Sequence, residues 1–561
     1  MSFLPERVIP FNAGCRLIPG REQRRMEPDT ERILLSGDEA VALAARNAGV
    51  ALGAGYPGTP STEILEAFSG LGGRAEWAPN EKAALEVAIG AAFAGARAIA
   101  TMKHVGLNVA ADPLFTAAYT GVKGGLAVVT ADDPGMASSQ NEQDNRHYAR
   151  AAGVPMLDPA DSQEAHDFTL AAFEISERWG IPVLLRMTTR VCHSKTVVRP
   201  RAASGPAMQP HFERDIRGLV MVPAYARPAH RRLRKKLAEI AAWNETSGMN
   251  VVLPGDASRG IIASGISAMH AREADPGARM LKLGCTHPLP MNAIRDFAAS
   301  VRRCTVIEEG DPWLAGEIRA AGITVEAKPE EYRFGELTVN RVRRILRGEP
   351  DSAAVLPRGN PPQLCPGCPH RVVFETLGRL RCIVAGDIGC YTLGALPPFE
   401  AMDTCVCMGA SITVGLGMRK VLPAAEAARV VSVTGDSTFM HSGIPGLLEM
   451  VYNPPETGHV ALILDNGTTA MTGLQEHPGT GRSLAGEPAA AVLPERLAGA
   501  MGIERVFVAD PVADAAGFER LLRESLDCRK PSVIVVRRPC LLSARKLKAA
   551  ARRAEEGARS R

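Results

Sequence analysis

Two predicted strands end in residues that could bind a metal ion. The apolar segment 430–434 leads to Asp436. The apolar segment 460–464 leads to Asn466 and, two residues later, to Thr468. Open parallel sheets bind ligands beyond the carboxyl ends of their strands, and carboxylate, amide and carbonyl oxygens suit Mg²⁺. The pattern favours a Mg²⁺ site, although two ordinary strand-to-helix turns capped by Asp and Asn would look similar.

The residues around Asp436 could also hold a diphosphate. Gly435 and Ser437 stand at a predicted helix start, where free backbone N–H groups favour an anion. Elsewhere, Glu81 begins an Ala-rich helix predicted for residues 81–95. From its residue type alone, Glu81 is interpreted as a helix-start glutamate stabilised by the helix dipole.

Four of the 12 cysteines have a suggestive spacing. Cys365 and Cys368 form a C-x2-C pair, Cys390 follows them in a predicted turn, and Cys540 follows a late strand. The spacing alone fits a tetrahedral zinc site or a redox dithiol. The reserve candidates are Cys405 and Cys407. The remaining cysteines are predicted core thiols: Cys15, Cys192, Cys285, Cys304, Cys382 and Cys528.

The composition is typical of a globular multidomain protein. Of the 561 residues, 46% are hydrophobic and 22% are charged, which excludes a mainly disordered or collagen-like chain. Only 5% are aromatic, so the cores must use Ala, Val, Leu and Ile, as doubly wound α/β domains do. With a net charge of +4, no long apolar stretch and no secretory signal, we expect a cytoplasmic protein that binds neither membrane nor nucleic acid.

Predicted strands and helices alternate in three parts of the chain, which indicates α/β units with parallel sheets. Pro-rich stretches separate these parts, and a basic cluster at 231–236 is interpreted as a linker surface. The predicted divisions are an N-terminal extension at 1–30, a first domain at 31–198, a linker at 199–250, a smaller domain at 251–350, a third domain at 351–540 and a basic tail at 541–561.

Several motifs resemble those of the 2-oxoacid:ferredoxin oxidoreductase family. Residues 56–62 resemble its Tyr-Pro-x-Thr-Pro-Ser signature. Residues 435–437 and 465–467 look like a thiamine diphosphate motif, except that Ser437 replaces the usual glycine. Four more segments resemble the large (alpha) subunits of the members that act on indolepyruvate: 102–110, 364–370, 386–394 and 407–411. The motifs keep the family's order and span nearly the whole chain.

The resemblance implies two doubly wound parallel-sheet domains that bind thiamine diphosphate, one of the pyrimidine type and one of the diphosphate type. A smaller transketolase-C-like α/β domain would lie between them. Glu81 would activate the pyrimidine ring, and Thr59 would contact the substrate. Asp436, Asn466 and the Thr468 carbonyl fall at the Mg²⁺ positions. The implied cofactor-binding residues are Glu81, Gly409, Gly435, Asp436, Ser437, Asn466 and Thr468.

Two histidines, His104 and His441, fall in segments that line the family's pocket and are further catalytic candidates. Lys103, Gln143 and Asp144 fall in similar segments. A lone histidine is as often a structural residue, so the roles of both histidines stay open at this point.

The resemblance also favours one interpretation of the cysteines. In the wider family, cysteines at four matching positions hold a [4Fe-4S] cluster beside the thiamine. The resemblance therefore implies such a cluster at Cys365, Cys368, Cys390 and Cys540, in preference to zinc or no metal.

The implied activity is oxidative decarboxylation of aryl 2-oxoacids to acyl-coenzyme A, with electrons passed to ferredoxin or a similar acceptor. A smaller beta subunit and a hetero-oligomer with two copies of each chain are implied as well. Two alternatives stay open: a non-oxidative thiamine-dependent decarboxylase or carboligase, and a non-catalytic assembly paralogue.

Relatives of this large subunit typically carry a ferredoxin-like module with two C-x2-C-x2-C-x3-C-P runs after the last of these cysteines. No such run follows Cys540 in the sequence. We therefore expect the distal electron relay to lie on another polypeptide, or the acceptor to differ. The basic tail is a candidate docking segment for the partner subunit or an acidic ferredoxin.

Overall fold

The computed structural model describes residues 32–202, 209–351 and 363–545. The expected N-terminal extension, Cys15 and most of the basic tail lie outside these ranges. Three α/β units follow one another along the described chain.

The first unit alternates strands and helices. Its elements are β1 (Ile33–Ser36), α1 (Gly37–Asn47), β2 (Leu52–Gly55), α2 (Thr62–Gly70), β3 (Ala75–Trp77), α3 (Glu81–Phe93), β4 (Ala98–Lys103), α4 (His104–Val109), α5 (Ala111–Thr120), β5 (Leu126–Asp132), α6 (Arg146–Ala152), β6 (Met156–Leu157), α7 (Ser162–Trp179), β7 (Val183–Thr188), α8 (Thr189–His193) and β8 (Lys195–Val198).

Two helices connect this unit to a smaller one. The elements of this part are α9 (Ile216–Leu219), α10 (Pro223–Asn244), β9 (Val251–Leu253), β10 (Asp256–Ser264), α11 (Gly265–Ala274), β11 (Ala278–Leu283), β12 (Cys285–His287), α12 (Met291–Ala299), β13 (Cys304–Ile307), α13 (Trp313–Ala320), β14 (Glu326–Ala327) and α14 (Val339–Arg347).

The third unit resembles the first in its alternation. Its elements are α15 (His370–Arg379), β15 (Ile383–Gly386), β16 (Thr404–Cys405), α16 (Ser411–Val421), α17 (Ala424–Ala427), β17 (Val430–Gly435), α18 (Asp436–Thr438), a π-helical turn (Phe439–Gly443), α19 (Ile444–Tyr452), β18 (His459–Asp465), α20 (Pro494–Ala500), β19 (Arg505–Ala509), α21 (Ala515–Asp527) and β20 (Pro531–Arg537).

Each unit is built on a mainly parallel sheet. The first sheet has the order β12-β6-β7-β5-β4-β2-β3, and only β12, which comes from the middle unit, is antiparallel to its neighbour. The middle sheet has the order β14-β13-β10-β11-β9, with β9 antiparallel. The third sheet, β16-β15-β17-β18-β20-β19, is wholly parallel. The expected α/β class is thereby confirmed.

The central strands β4, β5, β7 and β17 are buried along their whole length. Helices cover both faces of such strands, so most of their side chains are apolar. The core accordingly consists mostly of Ala, Val, Leu and Ile, with few aromatic residues.

The expected linker contains a long helix. Helix α10 buries Ala229, Leu233, Leu237 and Ile240 against the first unit, and the basic cluster 231–236 surrounds this apolar stripe. A spacing of three or four residues puts apolar side chains on one helix face, so basic residues can occupy the rest. The many Pro and Arg residues of this segment favour its interpretation as a connector. They make the helical spacing of its few apolar residues hard to recognise in the sequence.

The described helices include none that is both long and apolar enough to cross a membrane.

Candidate active site

The two strand ends marked by the sequence lie side by side. Strands β17 and β18 pair in parallel with Gly435 opposite Leu464, so Asp436 and Asn466 leave the sheet together. The Oδ2 atom of Asp436 accepts hydrogen bonds from the backbone N–H groups of Asn466 (3.1 Å) and Gly467 (2.7 Å). These contacts hold the carboxylate at the carboxyl edge of the sheet, where hard oxygen ligands can face a divalent cation.

A histidine that no sequence pattern marks lies against this carboxylate. His477 Nε2 is 3.3 Å from Asp436 Oδ2, and its Nδ1 accepts a hydrogen bond from the Gly479 N–H at 3.1 Å. A neutral imidazole with an accepting Nδ1 carries its proton on Nε2, which faces Asp436. Burial by itself would raise the pKa of Asp436, but His477 and the amide donors outweigh burial and lower it.

A cavity of about 80 Å³ lies beside these residues. It is lined by Gly435, Asp436, Ser437, Asn466 and Thr468, together with residues of the first unit and of the 388–391 loop. Gly435 is needed for space, because a Cβ there would lie 2.5 Å from the ring of Tyr391. A cavity at a strand end and a helix start, with carboxylate and amide oxygens, fits a diphosphate held through Mg²⁺.

Gly409 lets the backbone pass close to Ser442, and its N–H group is not free to bind a cofactor. Its φ of +83° favours glycine, and a Cβ would lie 2.4 Å from the carbonyl carbon of Ser442. Its N–H donates to Asp387 Oδ1 at 2.7 Å, as the N–H of Ala410 does at 3.1 Å. Asp387, which the sequence interpretation did not select, therefore satisfies the amides at the start of α16.

The first unit supplies a second buried carboxylate. Glu81 begins α3, after Asn80 caps this helix by accepting the N–H of Ala83 at 2.9 Å. Its Oε2 lies 2.7 Å from Nε2 of His441, which sits in the π-helical turn of the third unit. Gly106 packs against the other oxygen, because a Cβ there would lie 2.6 Å from Glu81 Oε1.

His441 is fixed from several sides. Its Nε2–H donates to the Glu81 carboxylate, so its Nδ1 accepts from the Ser442 hydroxyl at 2.7 Å. The Asn80 amide donates to the His441 backbone carbonyl at 2.8 Å. The ring of Tyr56 packs edge-on against the imidazole at a centroid distance of 4.6 Å. The two units therefore jointly set the orientation of His441.

Further hydrogen bonds join the two units next to the diphosphate cavity. The buried Tyr56 hydroxyl lies 2.8 Å from Ser437 Oγ, which is also 2.8 Å from Thr469 Oγ1. Gln475 donates from its amide to Glu66 on α2 at 2.9 Å. Ser437, which departs from the usual glycine, thus uses its hydroxyl to bind the first unit.

Thr59 lies half-buried in the loop between β2 and α2. The neighbouring Gly58 faces Lys103 at the end of β4, because a Cβ on Gly58 would lie 3.1 Å from the Lys103 Cβ. The Lys103 ammonium donates to the Ser138 carbonyl at 2.7 Å. Burial lowers the pKa of Lys103 to about 8, despite the nearby Asp133 carboxylate.

His104 and Gln143 are joined by a hydrogen bond close to Lys103. His104 is buried, its Nε2 donates to the Asn141 carbonyl at 3.1 Å, and its carbonyl accepts from Gln143 at 2.9 Å. Within the described ranges its buried Nδ1 has no partner. Burial lowers the pKa of His104. The structure thus places His104 next to Lys103, at the start of α4, whereas His441 directly contacts Glu81.

Asp144 belongs to a buried ion-pair network. It pairs with Arg146, which also reaches Glu308 of the middle unit at 2.7 Å, and Arg186 lies 3.8 Å from Asp144. These cations hold the pKa of Asp144 well below its usual value against the raising effect of burial, so the carboxylate stays ionised inside the protein. Its contacts join the first and middle units.

The four cysteines marked by their spacing line a single cavity of about 70 Å³. Its wall includes Cys365, Cys368, Cys390 and Cys540, and also His370. Burial raises the pKa of Cys390 to about 11, and the proximity of the other three sulfurs adds to this rise. Cys405 and Cys407, the reserve candidates, are exposed and are not part of this wall.

The sulfur spacing bears on the kind of metal. In the described part of the chain, no three of the cysteine sulfurs lie within 4.8 Å of one another. A single tetrahedral zinc with bonds of about 2.3 Å needs sulfurs about 4 Å apart. An iron–sulfur cluster binds each thiolate to a different iron and holds the sulfurs farther apart. Four thiols on one cavity wall are a donor set that fits such a cluster, and their spacing is wider than one zinc ion needs.

The two cavities share part of their walls. Cys390, Asn466 and Ala470 line both the cysteine cavity and the diphosphate cavity. His370 lines the cysteine cavity, with its Nε2 3.4 Å from the Asn466 amide nitrogen, and burial lowers the pKa of His370 to about 4. A neutral imidazole therefore lies beside the shared wall.

Sequence relatives agree with this architecture. Residues 43–219 match the thiamine diphosphate-binding family of pyruvate flavodoxin/ferredoxin oxidoreductases, and residues 387–536 match the C-terminal TPP-binding domain of thiamine pyrophosphate enzymes. The indolepyruvate oxidoreductase subunit IorA of Archaeoglobus fulgidus is 40% identical over 92% of this chain and 88% of its own. IorA of Pyrococcus abyssi is 38% identical over 91% and 86%, respectively.

A solved 2-oxoglutarate:ferredoxin oxidoreductase from Magnetococcus marinus aligns with a TM-score of 0.47 and 19% identity, over 58% of this chain and 67% of its own.

Two thiamine diphosphate-binding units that meet through the Glu81–His441 and Tyr56–Ser437 contacts define a 2-oxoacid oxidoreductase of the thiamine-dependent class. Within this class, the extent and level of identity settle the relationship. The chain belongs to the family of the indolepyruvate oxidoreductase subunit IorA.

Proposed function

We propose that this chain oxidatively decarboxylates aryl 2-oxoacids such as indolepyruvate, forms acyl-coenzyme A, and passes electrons through a [4Fe-4S] cluster to ferredoxin or a similar acceptor. The observation that carries this proposal is the shared wall of the cysteine and diphosphate cavities at Cys390, Asn466 and Ala470. A cluster held by the four cysteines would therefore lie next to a cofactor held at Asp436 and Asn466. The names of the relatives support indolepyruvate as the substrate.

Asp436, Asn466 and the Thr468 carbonyl would hold Mg²⁺, with Gly435 and Ser437 beside the diphosphate. Thiamine diphosphate, when bound, supplies a carbon nucleophile and an electron sink for decarboxylation.

Glu81 would hydrogen-bond the pyrimidine ring and control its protonation. The carboxylate is 5% exposed, so water competes little for it. His441 donates to one oxygen and Gly106 leaves room at the other, so the carboxylate has one orientation. His441 would thereby act as a positioning residue for Glu81. Thr59 would contact the substrate from the loop that rests on Lys103.

Cys365, Cys368, Cys390 and Cys540 would bind the cluster as thiolates. We also propose a smaller partner subunit, because the relatives are named as subunits. Two copies of each chain in the assembly are proposed from the family resemblance. The cytoplasmic location stays a prediction.

The activity test uses the complex of this chain with its partner subunit, purified without oxygen. Indolepyruvate should reduce a low-potential dye only when coenzyme A is present. Release of free aldehyde with no dye reduction would instead identify a non-oxidative decarboxylase. If thiamine diphosphate with Mg²⁺ failed to raise the melting temperature, the chain would be a non-catalytic paralogue, because a ligand that binds the folded state stabilises it.

The cluster test compares iron and sulfide contents. The wild-type complex should contain four irons per chain in this cavity, and Cys368→Ser should lose them. Cys528→Ser is the matched control, because Cys528 is half-buried and lies outside the cavity. Equal iron contents in the two variants would contradict the assigned ligands.

A further inference from the structure

Three side chains of ligand type meet on the first unit, away from the thiamine site. Asp38 comes from the first turn of α1, Glu63 from the first turn of α2, and His193 from the last position of α8. One ligand atom of each lies within 4.8 Å of those of the other two. None of the three belongs to a motif that the proposed function uses.

The buried carboxylate of Asp38 indicates that this cluster binds a cation. The residue is 1% exposed, and within the described ranges neither of its carboxylate oxygens has a hydrogen-bond partner. The neighbouring Cys192 thiol is only a weak donor. Burying an unpaired carboxylate is costly, so such groups are normally paired or coordinate a metal. The neighbouring Glu63 is another carboxyl group and supplies no cation.

The rest of the cluster suits a cation taken from solution. Glu63 and His193 are both exposed, so the cluster opens to solvent on one side and is anchored by Asp38 on the other. One imidazole and two carboxylates are typical ligands for Zn²⁺ or a similar divalent transition metal, whereas Mg²⁺ and Ca²⁺ prefer oxygen ligands alone. The two negative charges would be neutralised by one divalent ion.

The backbone holds two of the three helices, α1 and α8, in close contact. A Cβ on Gly37 would lie 2.2 Å from the Val191 carbonyl oxygen, so the start of α1 and helix α8 are in direct contact. This close approach fixes the neighbouring Asp38 and His193 relative to each other. When the ligands of a site are already in position, the free-energy cost of ordering them on ion binding is smaller.

We propose that Asp38, Glu63 and His193 form a binding site for a divalent transition-metal ion of the Zn²⁺ type. The ion would join α1, α2 and α8. Because α2 directly follows the loop that carries Thr59, the ion would also fix the end of that loop. This site is additional to the proposed Mg²⁺ and iron–sulfur sites.

The test uses the full chain in complex with its partner, with the cluster loaded, and Zn²⁺ as the probe. Equilibrium dialysis in metal-free buffer gives the zinc bound per chain for the wild type, Glu63→Gln and His193→Gln. Both substituted residues are exposed, so the variants should fold. His211→Gln, a change at another exposed histidine, is the matched control.

We expect the wild type and His211→Gln to bind one more zinc per chain than Glu63→Gln or His193→Gln, at equal iron content. Loss of a group that only orients a ligand weakens metal binding about tenfold or more, so loss of a ligand should cost at least as much. Zinc should also raise the melting temperature of the wild type more than that of His193→Gln. Equal zinc binding by the wild type and His193→Gln would overturn the proposal.

Discussion

Nε2 of His441 lies 2.7 Å from Oε2 of Glu81, although 360 positions separate the two residues in the chain. Both side chains are buried, and they belong to different α/β units. The orientation of the Glu81 carboxylate therefore depends on how the third unit docks on the first.

Glu81→Gln should abolish most of the turnover. The amide keeps the size of the side chain but cannot hold or accept a proton as the carboxylate does. Positioned proton transfer contributes about 10² to 10⁴-fold, so kcat should fall by that factor. Glu86→Gln on the same helix is the control, because Glu86 is exposed and pairs with Lys82 at the protein surface. Similar kcat values for the two variants would remove Glu81 from the mechanism.

Gly106→Ala should lower activity without loss of the fold. The new methyl group would lie 2.6 Å from Glu81 Oε1 and must displace the carboxylate. Misplacement of a reacting group by about 1 Å can cost about 10²-fold in rate. Gly90→Ala on α3 meets no atom within 4 Å, so its kcat should be unchanged. Steady-state kinetics and circular dichroism of both variants test this, and wild-type kinetics for Gly106→Ala would contradict it.

The contact between Tyr56 and Ser437 should be energetically coupled. A double-mutant cycle with Tyr56→Phe and Ser437→Ala should give a coupling free energy of about 0.5–1.5 kcal/mol, the usual net value of one hydrogen bond. Chemical denaturation in the presence of thiamine diphosphate and Mg²⁺ provides the measurement. Tyr452→Phe, at a residue that is 80% exposed, should change stability by less than about 0.5 kcal/mol. Additive effects of the two site variants would show that the contact is not formed in solution.

Acid should destabilise the fold partly through His459. Its Nε2–H donates to Ser432 Oγ at 2.7 Å, and its buried Nδ1 has no partner in the described chain, so burial lowers its pKa to about 3. The unfolded chain binds this proton near pH 6.5 and the folded chain near 3. Stability is therefore lost as the pH falls through this interval, by about 2 kcal/mol at pH 5.

His459→Gln removes that proton-binding site. Its melting temperature should fall less between pH 7 and pH 5 than that of the wild type, while His211→Gln at an exposed histidine should follow the wild type. An identical pH dependence in His459→Gln and the wild type would contradict the assigned burial effect.

The local parts of the site are predictable from sequence, because each depends on neighbouring residues. Strand ends can be read from apolar runs, so Asp436 and Asn466 are expected at one sheet edge. The start of α3 at Glu81 follows from its Asn80 cap and Ala content. The C-x2-C pair at Cys365 likewise indicates ligands by its spacing. Each inference uses a period or a turn that spans only a few residues.

The long-range contacts could not be predicted in this way. No spacing rule links Tyr56 to Ser437, because the docking of two units depends on surface shape rather than on local periodicity. His477 lies in an irregular loop with no motif of its own. Asp38, Glu63 and His193 meet only because three helix ends converge.

The hydrogen bonds of the active site are also the bonds that hold the first and third units together: Glu81 and Asn80 with His441, Tyr56 with Ser437, and Glu66 with Gln475. Separating the units would dismantle the site, and tightening the site would tighten their docking. The two units should therefore unfold in a single cooperative transition when the cofactor is bound. A bound cofactor would then stabilise the docking of one unit on the other.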